Sequence, residues 1–268
     1  MYRRGSGAVQ LPARRRHRPA RGRCPARAAV RIGNGATELD ARGREIAANL
    51  QAVTGRIGGA ARAAGRDPAS VRLVAVTKTF GVDDVRRLAA LGVTDVGENR
   101  DQEAAPKAAA VPALRWHFIG QLQRNKARSV ASYASCVHSV DRVRLVAALD
   151  LAAQQADRTL DICLQLRLDD DPAHGGAASR QLPALADLVE EAGSLRLAGV
   201  MCVPPSGADP DSAFAAAAAI AADLRRTHPT ASMFSAGMSG DLEAAIRNGA
   251  THVRVGTALL GGREHFLG

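Results

Sequence analysis

The sequence predicts a (β/α)8 barrel with a leading N-terminal helix and a disordered basic extension ahead of it. Three observations carry that expectation. Eight strand-like segments alternate with mainly helical ones, the pattern of a parallel sheet wrapped by helices. Polar residues gather where those strands end, the face on which barrels build their sites. The Gly-rich loop that an open doubly wound sheet places after its first strand is missing, and Val76-Thr77-Lys78-Thr79-Phe80 stands there instead. No Walker A sequence occurs either. The open sheet is the alternative architecture.

The leading helix reads from Glu38 to Ala64, where Ile46, Leu50, Val53 and Ile57 recur at helical spacing. An apolar run, Val71 to Thr77, is the first strand. Val82 to Leu91 is a helix stopped at Gly92, and Val93 to Gly97 a short strand. Arg100 to Ala109 reads as a helix whose end is blurred by Pro106. Trp116 to Ile119 is a strand, Gln123 to Ser132 a helix, Cys136 to Val140 the fourth strand and Val143 to Ala156 a helix. The alternation continues with strand Asp161 to Leu168, helix Arg180 to Ala192 and strand Leu195 to Met201. Helix Pro210 to Thr227, a weak strand Ala231 to Ser235, helix Gly240 to Gly249 and strand His252 to Val255 close the series.

Charge divides the chain. Its 268 residues carry a formal net charge of +10, and only three of the 36 basic residues are lysines. Ten arginines, from Arg3 to Arg31, precede the first acid, Glu38. Setting them aside leaves 26 bases against 26 acids, so a neutral domain follows a basic leader. Residues 1–36 are rich in Arg, Pro and Gly and poor in large apolar groups, so we expect them to be disordered. A nonspecific tail, a mis-assigned start and a targeting or nucleic-acid segment all fit that leader. Specific nucleic-acid binding lacks an aromatic platform, since only Tyr2 is near the arginines. Residues 37–268 form one expected barrel domain. Cys24, Cys136, Cys163 and Cys202 show no CxxC pair and no metal spacing, so neither a disulfide framework nor a metal is expected. No apolar run approaches a membrane span.

The strand ends supply the chemistry. Lys78 closes the apolar strand RLVAVTK. It reads either as an amine that condenses with an aldehyde or as a surface lysine at the rim. Lys107 falls in a polar helical stretch and reads as solvated, and Lys126 as a salt-bridge or anion partner. Gly237-Met238-Ser239-Gly240-Asp241 leads into a helix that Ser239 could cap, either as a plain cap or as part of an anion site. Gly256-Thr257 offers a second close backbone approach, and phosphate sites near strands seven and eight recur in barrels. Arg254 sits on the last strand. It would pair with Glu98 or Asp95, or face a heteroaromatic nitrogen as an obligate donor. His117 reads as a core or supporting hydrogen-bonding residue rather than a metal ligand.

Seven stretches together carry a family resemblance: VRLVAVTKTF (71–80), VGENRDQEAAPK (96–107), WHFIGQLQRNKARSV (116–130), VHSVD (137–141), LAGVMCVPP (197–205), GMSGDLEAAIRNGATHVRVGTALLG (237–261) and Gly262-Arg263. In order and spacing they resemble the pyridoxal-phosphate homeostasis proteins, over residues 38 to 263. The resemblance implies a single barrel like the N-terminal domain of alanine racemase. It implies pyridoxal 5'-phosphate (PLP) held as a Schiff base on Lys78. Ser239, Gly256 and Thr257 would hold the phosphate with Ser235 nearby, and Arg254 would meet the pyridine nitrogen. Asn99, His117 and Met238 would line the site. It also implies a carrier that buffers PLP or delivers it to apo PLP-dependent enzymes, without established turnover, and a cytoplasmic location is expected. Two departures stand out: the acidic LRLDDDPAHGGAA after strand five, and Ala236 in FSAGMS, a small group beside the phosphate loop.

The rival reading is a PLP-dependent amino-acid racemase or other weak PLP enzyme. A two-base racemase needs a second proton-transfer group, a tyrosine in alanine racemase, together with a second domain. Only seven residues follow Gly261, and the tyrosines are Tyr2 and Tyr133, neither at a strand end. An arginine facing the pyridine nitrogen also weakens the electron sink such reactions use. The carrier reading is therefore preferred, as a monomer.

Overall fold

Asp40 is the N-cap of the first helix, its carboxylate accepting from the Gly43 N–H at 2.7 Å. That cap starts α1 at Ala41, three residues later than the periodicity suggests, and α1 runs to Ala63. The computed structural model describes residues 39–169, 171 and 175–262, so the extension assigned to residues 1–36 lies outside the described residues. Ile46, Val53, Ile57 and Ala61 form the buried stripe of α1.

Eight parallel strands close into a barrel in the order β1 to β8. They are β1 (Arg72–Val76), β2 (Asp95–Glu98), β3 (Arg115–Phe118), β4 (Cys136–Val140), β5 (Leu160–Leu166), β6 (Leu195–Cys202), β7 (Met233–Ser235) and β8 (His252–Val255). Closure comes from β1 pairing with β8, Arg72 opposite His252 through Ala75 opposite Val255. The connecting helices are α2 (Val82–Ala90), α3 (Asp101–Ala110), α4 (Ala127–Tyr133), α5 (Val143–Gln155), α6 (Leu182–Glu191), α7 (Pro210–Thr227) and α8 (Leu242–Arg247). A single turn, α9 (Thr257–Leu260), follows β8 and was not anticipated. The expected helix at 123–132 divides into a 3-10 turn, Arg124–Lys126, and α4. Helix α3 carries Pro106 and continues to Ala110. Among the described residues no helix is long and apolar enough to cross a membrane.

Two apolar shells lie between sheet and helices, one around Val137, Leu149, Ile162 and Phe214, the other around Ile46, Val53, Val96 and Val253. Each fully buried Leu, Ile or Phe there contributes about 2 kcal/mol. Ala236 belongs to the first shell, fully buried, so that departure from the family pattern faces the helices and not the cleft. The barrel interior differs from both shells. Cys136, Cys163 and Met201 form a small sulfur cluster with Met233. Beside it stand the buried polar groups Asp95, His117, His138, Ser235 and Arg254.

Candidate functional site at the strand C-termini

All strands being parallel, their C-terminal ends share one mouth. A cleft of about 390 Å³ opens there, lined by Lys78, Thr79 and Asn99 on one side and by Met238, Ser239, Gly256 and Thr257 on the other. Arg254 also lines it, at 4% exposure, so a buried guanidinium meets an open cleft. Seven of the nine residues expected at the site are thus brought together.

Lys78 is exposed at the end of β1. The backbone beside it is strained: Thr79, a β-branched residue, sits at φ 70°. Its N–H donates to Glu103 Oε2 at 2.9 Å, which helps hold that turn. Beneath Lys78, Thr77 is fully buried and donates to Glu98 Oε1 at 2.6 Å. Lys107 Nζ donates to the same Glu98 oxygen at 2.8 Å and to the Thr77 carbonyl at 2.9 Å. Lys107 is therefore buried under the site and not solvated as its polar helix suggested. Ala104, Ala108 and Val111 share its buried helix face, and that spacing was the available signal. Burial pushes the Glu98 carboxyl up, against the Lys107 and Thr77 hydrogen bonds that pull it down.

Across the cleft, Gly237 adopts φ 89°, and a Cβ there would stand 2.6 Å from the Ala245 Cβ. This glycine lets the loop turn toward the cleft, and its carbonyl accepts from the Arg254 N–H at 2.9 Å. Ser239 does not cap α8, where Asp241 is the N-cap. Its Oγ instead accepts from the Ala258 N–H of α9 at 3.2 Å, joining the two loops expected to hold phosphate. The leading helix braces both loops. Arg56 donates to the Ser239 carbonyl at 2.9 Å and to both Glu243 oxygens, and Asn49 donates to the Leu259 carbonyl at 3.1 Å. Sequence reasoning missed Arg56, although an arginine with no acid three or four residues away on its helix needs a partner elsewhere.

Arg254 finds neither Glu98 nor Asp95. Nη1 donates to Ser235 Oγ at 2.8 Å and Nη2 to the Cys202 carbonyl at 3.0 Å, with no carboxylate ion pair among the described residues. Burial draws its pKa down. Ser235 is fully buried and touches Arg254 from below the cleft. His117 does not line the cleft. It lies in the interior, 2% exposed, with Nε2 2.9 Å from Asp95 Oδ1 and Nδ1 2.8 Å from His138 Nε2. His138 Nδ1 is 2.9 Å from Ser235 Oγ, so His117 reaches Arg254 through two residues. Burial opposes charge on His117, but Asp95 and Cys136 pull harder the other way, while burial drives His138 well below its ordinary value. The ligand-type atoms of His117, Cys136 and His138 lie within 4.8 Å of one another, with every imidazole nitrogen already facing a hydrogen-bond partner.

This arrangement offers an exposed primary amine, a hydroxyl and glycine loops opposite it, and a buried, always charged donor between them. Such a set fits a compact ligand with an aldehyde, an anionic ester and a ring acceptor. The comparisons agree with that geometry. Residues 46–264 match the family described as alanine racemase, N-terminal domain. The pyridoxal phosphate homeostasis protein of Corynebacterium glutamicum is 47% identical over 205 residues, covering 74% of this chain and 93% of that protein. Its namesake in Pseudomonas aeruginosa is 44% identical over 225 residues, covering 82% and 96%. PipY of Synechococcus elongatus, solved with PLP bound, is 34% identical with a TM-score of 0.71, covering 81% of this chain and all of PipY. Alanine racemase from C. glutamicum, at 13% identity and a TM-score of 0.63, shares the fold alone. The chain belongs to the pyridoxal phosphate homeostasis protein family, built on the alanine racemase N-terminal domain.

Proposed function

We propose that this protein binds PLP through Lys78 in the strand-end cleft and acts as an intracellular PLP carrier rather than a catalyst. The observation that carries the reading is Arg254, a buried guanidinium with no carboxylate partner among the described residues, lining the same cleft as the exposed Lys78 amine. When bound, PLP supplies an aldehyde that condenses with a primary amine. The chain supplies the rest. Lys78 is the only lysine in the cleft lining. Ser239, Gly256 and Thr257 form the opposite wall for the phosphate, and Asn99 and Met238 flank the ring. Arg254 holds a proton toward the ring nitrogen and, being always charged, never accepts one back. Ser235 supports Arg254, and His117 acts only through His138 and Ser235.

A racemase would need a second proton-transfer group across the cleft. Tyr133, the single tyrosine among the described residues, instead donates to Asp101 Oδ1 at 3.3 Å and is absent from the cleft lining. The carrier role further proposes a monomer that passes PLP to apo PLP-dependent enzymes.

The test is direct. Purified full-length protein is incubated with PLP, reduced with borohydride and mapped by peptide mass. The adduct is expected on Lys78 and absent from Lys78→Ala. An adduct of equal yield on Lys78→Ala refutes the assignment. Saturable turnover of single-enantiomer amino acids by the loaded protein would overturn the carrier reading.

A further inference from the structure

Four interior residues link Arg254 to the opposite mouth of the barrel. Arg254 Nη1 lies 2.8 Å from Ser235 Oγ, which lies 2.9 Å from His138 Nδ1. His138 Nε2 lies 2.8 Å from His117 Nδ1, and His117 Nε2 lies 2.9 Å from Asp95 Oδ1. All five side chains are buried, at 4% exposure or less. Asp95 is the first residue of β2, so it sits at the mouth where the strands begin. There Thr94 donates to its Oδ2 at 2.6 Å, and Arg72 and Arg115 approach Oδ1 at 3.5 and 3.4 Å.

The two ends set the direction of the chain. A guanidinium can only donate, and an ionised carboxylate can only accept. With both imidazoles neutral, every link is satisfied in one sense. Arg254 donates to Ser235, Ser235 to His138 Nδ1, His138 Nε2–H to His117 Nδ1, and His117 Nε2–H to Asp95. An extra proton on His117 would break this order. His117 Nδ1–H would then donate to His138, and His138 Nδ1–H to Ser235. The Ser235 hydroxyl hydrogen, already facing a second donor in Arg254, would be left without an acceptor in a buried place. The pull of Cys136 toward a charged His117 requires a thiolate. Cys163 beside it and burial keep Cys136 a thiol.

We propose that Asp95, His117, His138 and Ser235 form a one-directional positioning relay that aims the Arg254 guanidinium into the PLP cleft. The relay directs the Ser235 hydroxyl hydrogen to His138 Nδ1, which turns an Oγ lone pair toward Arg254 and gives the guanidinium a single favoured orientation. None of Asp95, His117 and His138 lines the cleft, so they are positioning residues. The proposal rests on Arg254 serving the ligand in that cleft.

Histidine-selective 15N NMR on the full chain at pH 7.5 tests the relay, alongside a PLP titration by absorbance. Both His117 and His138 are expected as neutral Nε2–H tautomers. Ser235→Ala removes one of the two acceptors that hold the Arg254 guanidinium, leaving the Cys202 carbonyl, and is expected to weaken PLP binding about tenfold. Asp95→Asn, three side chains from Arg254, is expected to lose the single-tautomer signature and to weaken binding about threefold or more. An imidazolium at His117, an Nδ1–H tautomer at His138, or wild-type signals and affinity in Asp95→Asn would each overturn the relay. Thermal unfolding of each variant separates loss of aim from loss of fold. If wild-type protein takes up no PLP, the cofactor reading fails, and the tautomer signals still decide whether the relay exists.

Discussion

Replacing Lys107 with Met removes the ammonium from a buried pair whose side chains are 9% and 1% exposed and whose N···O distance is 2.8 Å. Solvent does not screen such a pair, and orphaning one buried partner costs about 3–5 kcal/mol. Two details sharpen this figure. Glu98 Oε2 is buried without a partner, so the carboxylate is already short of donors. The Thr77 carbonyl also loses the Lys107 donor, worth about 1 kcal/mol. Protonation offers Glu98 an escape. From the ordinary value of 4.5, taking up a proton at pH 7 costs about 3.4 kcal/mol, which caps the ionic part of the loss. The variant therefore has a folded-state Glu98 pKa raised further above its unfolded value. Its handicap shrinks below that pKa and grows as pH rises, by up to about 1.4 kcal/mol per unit. Urea unfolding of wild type and Lys107→Met at pH 6, 7 and 8 measures this. The expected deficit is about 3 kcal/mol at pH 7 and about 2 at pH 6. A deficit below about 1 kcal/mol, or one that does not change with pH, would refute the argument.

Other outcomes follow from the same geometry. Arg56→Ala breaks a half-exposed pair with Glu243, so stability should fall by less than about 1 kcal/mol, while PLP affinity measured by absorbance drops severalfold as the Ser239 loop loosens. Gly237→Ala combines a φ of 89° with a 2.6 Å approach to Ala245 and should cost about 2–4 kcal/mol in thermal or urea unfolding. Asp95 is opposed by burial, but its His117 and Thr94 hydrogen bonds win and hold its carboxyl well below the ordinary 3.8. Its contribution is therefore present above that value and lost as pH falls through the folded-state pKa. The stability gap between wild type and Asp95→Asn should narrow steadily under acid titration.

Much of this was legible in the residues. The alternation of apolar-rich runs with helical stripes located all eight strands to within a few residues, because strands buried on both faces are enriched in apolar side chains. One boundary failed where a side chain overrode periodicity, as with Asp40 at α1, and another where a 3-10 turn precedes α4. The cleft residues were readable because they follow strand ends, a one-dimensional property. What lies below them was not. Lys107 pairs with Glu98 nine positions away, and His138 with Ser235 nearly a hundred positions away. Such pairings depend on which strands become neighbours around the barrel. Ser239 was read as a cap on the helix that follows it, yet it serves the turn after β8, a contact that exists only once the sheet has closed.

The bracing of the cleft by α1 has a consequence for biosynthesis. Arg56 and Asn49 leave the ribosome 183 and 210 residues ahead of the carbonyls they hold, at Ser239 and Leu259. Strand β1 likewise waits for β8. A nascent chain thus carries an unpaired sheet edge and an unclasped cleft loop until β8 and α9 have emerged. Assembly of the cleft consequently follows synthesis of β8 and α9, and translation stalled before residue 255 should yield a chain prone to aggregation and without the assembled cleft.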